Sequence, residues 1–401
     1  MGNAFFLARA LEQALGGALP VGVRTWDGGR VGPDTGPAVV LNNRRALRRL
    51  LWRPGELGLA RAYVTGDLDV DGDLKDGLRR CWSAVRDRKI TRPSPAEFAR
   101  LVGLAVRVGV VGPPPRPPVQ EARLTGRLHA PGRDRAAISH HYDLGNDFYE
   151  LILDEHMAYS CGWHESADTT LEQAQRAKLD MVCRSLDLSP GSRMLDVGCG
   201  WGSLVLHAAR EYGAKVTGVT ISREQHDFVT ERARAQGLDH LVTVRLQDYR
   251  EVDDGPYDAV SSIEMGEHVG EANYPAYVGV LHRNLKPGGR LVLQQMSRGR
   301  VAPGGGAFIE SYIAPDMTMR PLHATLAHLA GAGFEIRRVV AMREHYVRTI
   351  DAWAATLERR WDEVVARVGV GWARVWRLYM AGAALAFEEN RMGVDQIVAV
   401  A

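Results

Sequence analysis

The chain has 401 residues, 45% of them hydrophobic, which is enough for two domains with full cores and excludes a disordered tail. Fifty lysines and arginines against 48 aspartates and glutamates leave a net charge of +2, so no global field points to nucleic acid and any anionic partner has to be met locally. Four cysteines, Cys81, Cys161, Cys183 and Cys199, stand without CxxC or Cys/His spacing, which argues against a zinc site or a disulfide framework and for a reducing cytosol.

Residues 1–110 mix helical patterns with short strand-like pieces such as Val39 to Asn42. No apolar run reaches the roughly 18 residues of a spanning helix, and residues 1–20 carry scattered charges, so neither secretion nor a membrane span is expected. Helical spacing over Arg44 to Arg53 puts Arg44, Arg45, Arg48 and Arg49 on one face, with Leu47, Leu50 and Leu51 nearby. Such a segment meets anionic headgroups or is a solvated basic face packed by its leucines, and both readings stay open. Gly66 to Leu74 reads as an acidic, turn-rich segment; it is similar to half an EF-hand loop but lacks the closing glutamate and flanking helices, so calcium is not expected. Val110-Val111-Gly112-Pro113-Pro114-Pro115-Arg116-Pro117-Pro118 cannot continue a helix and should be extended. The expected division is therefore a domain over 1–110, a proline-rich linker over 111–135 and a second domain over 136–401.

Beyond the linker, Arg193 to Val197, Lys215 to Thr220, Val242 to Gln247, Tyr257 to Ile263 and Arg290 to Met296 are short β-rich runs separated by helical stretches. That alternation predicts a parallel, doubly wound sheet, with Lys286 to Arg290 as a turn delivering the chain into the last run. The fold class is α/β: a Rossmann-like doubly wound domain with a smaller, mixed α/β N-terminal domain. The first run leads into Leu195-Asp196-Val197-Gly198-Cys199-Gly200-Trp201-Gly202, a strand turning sharply into a helix. Glycines at 198, 200 and 202 let a ligand approach the backbone, and Asp196 can bind the turn or polar ligand groups. Their spacing is tighter than the GxGxxG of dinucleotide folds and points to an S-adenosylmethionine (SAM) loop.

Further segments make a resemblance specific: Ala137 to Tyr149 (AISHHYDLGNDFY), Ala158-Tyr159-Ser160-Cys161, Gly218 to Gln225 (GVTISREQ), Leu246 to Arg250 (LQDYR) and Glu264 to Gly270 (EMGEHVG). Together with the glycine loop they resemble the cyclopropane-fatty-acid synthase family, from about Leu57 to the C-terminus. The resemblance implies a SAM-dependent methyltransferase that modifies double bonds in the acyl chains of membrane phospholipids. It implies that Tyr159, Ser160, Gly198, Gly200, Thr220, Gln225, Asp248 and Tyr249 hold SAM, beside Asp196 and Gly202 of the loop. It also implies a homodimer. The expected place is cytoplasmic and peripheral on the inner face of the cell membrane, with the N-terminal domain docking on lipid.

An alkene that attacks a sulfonium methyl is a weak nucleophile, so the site has to be dry and close-fitting. The resulting carbocation has to lose a proton to an acceptor nearby. Members of the family recruit bicarbonate for this, and the resemblance places its cradle at Cys161, Glu267, Gln294, Met296 and Tyr346. Here Gln294-Gln295-Met296 departs from the family's His-Thr-Ile, and glutamine cannot act as a general base near neutrality. Direct proton loss from the added carbon closes a cyclopropane; a prior hydride shift gives a methylene branch. The altered cradle favours the methylene product, similar to the 10-methylene precursor of 10-methylstearate in the actinobacterial branch, which a separate reductase would saturate. Cyclopropanation is the alternative, and a SAM- or lipid-binding protein without chemistry is a third reading.

Cys81 and Cys183 read as packing residues. His140 and His141 diverge by about 100° on a helix and lack a third ligand, so no metal is expected. Glu264 either assists Glu267 or caps the chain, and Glu150 lines an acyl tunnel or is an exposed helix position.

Overall fold

The computed structural model describes residues 3–87, 103, 105–128, 132–133, 144–299 and 305–401. Two units divide the chain, Met1–Glu121 with Val368–Leu385, and Ala122–Arg367 with Ala386–Ala401.

The first unit runs α1 (Asn3–Leu15), β1 (Gly22–Arg24), β2 (Arg30–Val31), β3 (Ala38–Leu41), α2 (Arg45–Trp52), α3 (Glu56–Val64), β4 (Leu68–Asp71) and α4 (Leu74–Asp87). Its sheet has the order β2-β1-β3-β4, with β1 and β3 parallel and the other pairs antiparallel. Leu7, Val23, Leu41, Ala46, Tyr63 and Leu68 share its core. The acidic run is thus a paired strand rather than only a turn, and Asp67 before it serves α2: Arg49 reaches it at 2.8 Å and Arg45 at 3.0 Å.

These contacts correct the basic face expected over Arg44 to Arg53. Arg49 is buried, and its second contact is a 2.9 Å hydrogen bond to the Arg116 carbonyl. Arg48 donates to the Val110 carbonyl at 2.8 Å and Trp52 Nε1 to that of Gly112 at 2.9 Å. α2 therefore holds the proline-rich segment, whose prolines have no N–H with which to join a sheet. The same unit continues to Glu121, which Arg61 grips with two hydrogen bonds of 2.8 and 2.5 Å. Val368–Leu385 belongs to it because Arg374 donates to the Tyr63 and Leu68 carbonyls and pairs with Asp69 at 3.1 Å. The observed unit is accordingly longer than 1–110 and discontinuous. Among the described residues, no group of three or more His, Cys, Asp or Glu could hold a metal ion.

The second unit runs α5 (Asn146–Ile152), α6 (Leu171–Ser185), β5 (Arg193–Val197), α7 (Ser203–Tyr212), β6 (Lys215–Thr220), α8 (Arg223–Ala235), β7 (Val242–Leu246), β8 (Tyr257–Ile263), α9 (Tyr274–Arg283), β9 (Leu285–Arg298), α10 (Ala307–Tyr312), α11 (Leu322–Gly331), β10 (Glu335–Ala341), α12 (Arg343–Arg359), α13 (Trp361–Glu388) and β11 (Met392–Val400). α13 breaks at Gly369 and carries the chain through Val368–Leu385 of the first unit. The sheet order is β10-β11-β9-β8-β5-β6-β7. All five expected strands are present and parallel, while β11 runs antiparallel to β9 and β10. Lys286 to Arg290 lies inside β9, where the register with β8 shifts, instead of preceding the strand.

From β5 the chain winds outward through β6 and β7, then returns to β8 on the other side of β5. The carboxyl ends of β5 and β8 flank this reversal, the place where doubly wound sheets open a ligand crevice.

Candidate active site

β5 ends at Val197, and the chain turns into α7 through Gly198, Gly200 and Gly202, with φ of 80°, 52° and 76°. A Cβ at Gly198 would lie 2.6 Å from Met265 Cγ, and one at Gly202 would lie 2.5 Å from Val229. At Gly200 a Cβ would have nothing within 4 Å, because that residue faces an open cleft. Gly198 and Gly200 share the cleft wall with Asp196 from β5, Thr220 and Gln225 from the β6 end, Asp248 and Tyr249 after β7, and Tyr159 and Ser160 before α6. Gly202 is the exception among the expected SAM residues: it caps α7 and packs on α8 instead of lining the cleft.

Each wall residue is braced. Asp196 is buried and accepts a 2.6 Å hydrogen bond from Ser261, and burial pushes its pKa up to about 6. Thr220 Oγ1 donates to Gln225 Oε1 at 2.8 Å. Asp248 accepts both arms of Arg250, at 2.8 and 2.5 Å, and the Tyr249 ring meets Tyr277 edge-on at 5.5 Å between centroids. Ser160 accepts from Lys178 Nζ at 2.9 Å.

At the end of β8, Glu264 adopts φ 52°, a left-handed conformation that costs a non-glycine residue about 1 kcal/mol. Its N–H donates to the Gln294 carbonyl at 2.7 Å, which fixes the turn against β9. The side chain lines the cleft and gathers three donors. Oε1 accepts from the Cys161 N–H and from Gln294 Nε2, each at 2.9 Å, and Oε2 accepts from the Tyr346 hydroxyl at 2.6 Å. Burial raises the Glu264 pKa, and these donors together with Lys178 work in the opposite direction.

Three of the residues expected in the anion cradle, Cys161, Gln294 and Tyr346, thus converge on Glu264. Glu267 does not share their cluster. It is fully buried, its Oε1 accepts from the Met296 N–H at 2.5 Å, and its Oε2 has no hydrogen-bond partner among the described residues. Burial, then the neighbouring Glu264 charge, push its pKa up to about 8, so it is protonated at neutrality. Cys161 offers its backbone N–H, while its thiol donates to the Gly162 and Met342 carbonyls at 3.4 and 3.6 Å. Burial pushes that thiol well up, which leaves it no nucleophilic thiolate.

Sequence reasoning passed over Lys178, which is 1% exposed and has its pKa lowered by burial. Its signal was present: Lys178 falls in the apolar stripe of α6 with Leu171, Ala174, Leu179 and Val182, where a solvated lysine has no place. Glu150 is an exposed helix residue. His140 and His141, with the rest of residues 137–143 of the first motif, lie outside the described residues.

The residues present fit SAM, since Gly200 leaves open approach and polar groups border it from three strand ends. They do not fit a separate bicarbonate, because the Glu264 carboxylate already holds three of the five residues expected to cradle it, Cys161, Gln294 and Tyr346.

A family model described as mycolic acid cyclopropane synthetase matches residues 129–397. A probable fatty acid methyltransferase, Rv3720 of Mycobacterium tuberculosis, is 38% identical over 395 residues, covering 96% of this chain and 91% of its own. Tuberculostearic acid methyltransferase UfaA1 of the same organism is 30% identical over 375 residues, covering 90% of this chain and 82% of its own. Among solved structures, mycolic acid cyclopropane synthase CmaA1 complexed with SAH and CTAB matches with a TM-score of 0.63 at 29% identity, over 67% of this chain and 98% of that one.

Proposed function

The chain belongs to the mycolic acid cyclopropane synthetase family of SAM-dependent, lipid-modifying methyltransferases, and from that premise we propose that it adds one carbon across the double bond of a phospholipid-bound unsaturated acyl chain. The observation that carries this reading is the carboxylate cluster of Glu264, Cys161, Gln294 and Tyr346 at the edge of the glycine-loop cleft. A carbocation formed in the cleft needs a base within reach, and the Glu264 carboxyl lines that cleft.

SAM bound in the cleft supplies an electrophilic sulfonium methyl. In this reading Gly200 gives the ligand its approach, and Thr220, Gln225, Asp248 and Tyr249 orient its nucleoside end. Met157, Ile263 and Met265 line the same cleft and keep water from the reacting carbons, which a weak alkene nucleophile requires.

The favoured product is a 10-methylene branched chain. Two points support it: Gln294, which the resemblance places at the family's histidine position, binds Glu264, and a relative aligned over 90% of this chain at 30% identity bears the name tuberculostearic acid methyltransferase. Access from the membrane surface, as a peripheral homodimer on its inner face, belongs to the same proposal, as does a separate reductase acting next. No described helix is long and apolar enough to cross a membrane. Purified protein, SAM and monounsaturated phospholipid vesicles, without a reductase, test the reading by proton NMR. Olefinic signals of a branching methylene are expected. Shielded ring protons would replace that product with a cyclopropane, and unmodified acyl chains would contradict the lipid substrate.

A further inference from the structure

Resting on the acyl-methylating reading, we propose that Glu264 is the catalytic base and takes the place of a recruited bicarbonate. A carboxylate presents the same planar pair of oxygens and the same single negative charge as bicarbonate. Here those oxygens accept the Cys161 N–H, Gln294 Nε2 and the Tyr346 hydroxyl at 2.9, 2.9 and 2.6 Å. The three donors therefore have their anion, covalently attached.

The backbone carries an independent trace of this role. Position 264 lies at φ 52°, where glycine rests without strain and glutamate does not. A strained side chain persists when something else over-determines it, and its three hydrogen bonds supply the restraint. Glu264 also lines the cleft, whereas Glu267 binds the Met296 N–H and leaves the cluster.

Gln294 complements the substitution. Its amide donates to Glu264 and cannot itself take a proton, so the carboxylate keeps the role of acceptor. In the step assigned to Glu264, a C–H bond of the transferred carbon breaks and its electron pair closes either the ring bond or the methylene double bond. The proton moves to a Glu264 oxygen, neutralising the carboxylate, and passes to water after the product leaves. Oε2, with the single Tyr346 donor among the described contacts, retains lone-pair capacity for it.

The test compares the full-length chain with Glu264→Gln and Glu264→Gly, in bicarbonate-free buffer and after bicarbonate is added. The parent's turnover of unsaturated phospholipid should be the same in both buffers. Glu264→Gln should lose at least about 100-fold in turnover, the scale of a removed general base, while calorimetry shows SAM binding retained. Glu264→Gly, which empties the cradle, should regain turnover on adding bicarbonate. A second arm needs no acyl substrate: carbon-13 NMR of labelled bicarbonate should show exchange broadening with Glu264→Gly and none with the parent. Bicarbonate-dependent turnover of the parent, label binding by the parent, or full turnover by Glu264→Gln would overturn the proposal. Failure of the lipid reading would show differently, as an unmodified acyl chain with the parent, and the label arm would still decide what fills the cradle.

Discussion

Two glutamates three residues apart meet different surroundings, although burial raises the pKa of both. Glu264 gathers three donors and the field of Lys178, while Glu267 gains one backbone N–H and sits beside the Glu264 charge. Opposed environments of this kind mark which carboxyl accepts protons and which keeps its own. A stability consequence follows for Glu267. Its pKa rises from 4.5 to about 8 on folding, so between those values the native state holds a proton that the unfolded chain has lost. Stability therefore falls as pH rises through that window and levels off above it. Glu267→Gln keeps the acceptor for Met296 without the titration, so its stability relative to the parent should grow from about pH 5 to about pH 8 in denaturant melts. A difference independent of pH would refute the assignment. The choice between the two glutamates was not legible in the sequence, because it depends on the left-handed turn at 264. The partners Cys161, Gln294 and Tyr346 were legible only through family resemblance, since they come from distant parts of the chain.

At the scale of elements, the glycine loop separates into two functions. Gly202 belongs to packing: alanine there would meet Val229 at 2.5 Å in a left-handed conformation, and Gly202→Ala should cost about 2–4 kcal/mol of unfolding free energy. Gly200 belongs to the ligand, and Gly200→Val should weaken SAM binding far more than Gly202→Ala does in calorimetry of folded protein. Equal effects of both variants on affinity and stability would contradict this division. The loop and the five parallel strands could be read from sequence because alternating apolar runs and glycines encode them locally. β10 and β11 could not: β10 is an edge strand with mostly exposed or half-buried residues, and β11 follows a long helix and pairs antiparallel by tertiary contact. The spacing of the α2 arginines was equally visible, but nothing local revealed Asp67 as their acceptor.

For the whole molecule, the rearranged role of α2 changes what surface docking can rest on. Arg44 and Arg53, at the two ends of that helix, are exposed, whereas Arg49 is bound to Asp67. Reversing Arg44 and Arg53 to glutamate should weaken cosedimentation with anionic vesicles at low salt, by on the order of 1 kcal/mol for each charge removed, with melting unchanged. Arg49→Glu should instead lower the melting temperature, because it leaves Asp67 buried against a like charge. Vesicle binding that ignores both the Arg44/Arg53 reversal and added salt would reject electrostatic docking by this surface. The central claim, that the chain transfers a methyl to an acyl alkene and then removes a proton from that same carbon, is most directly tested by isotope. SAM bearing a fully deuterated methyl group is incubated with the protein and monounsaturated phospholipid vesicles, and the released acyl chains are analysed by mass spectrometry. The added carbon should arrive on the acyl chain carrying two of its three deuterons, the third having gone to the base. Retention of all three deuterons, or label found on anything but the acyl chain, would contradict the account.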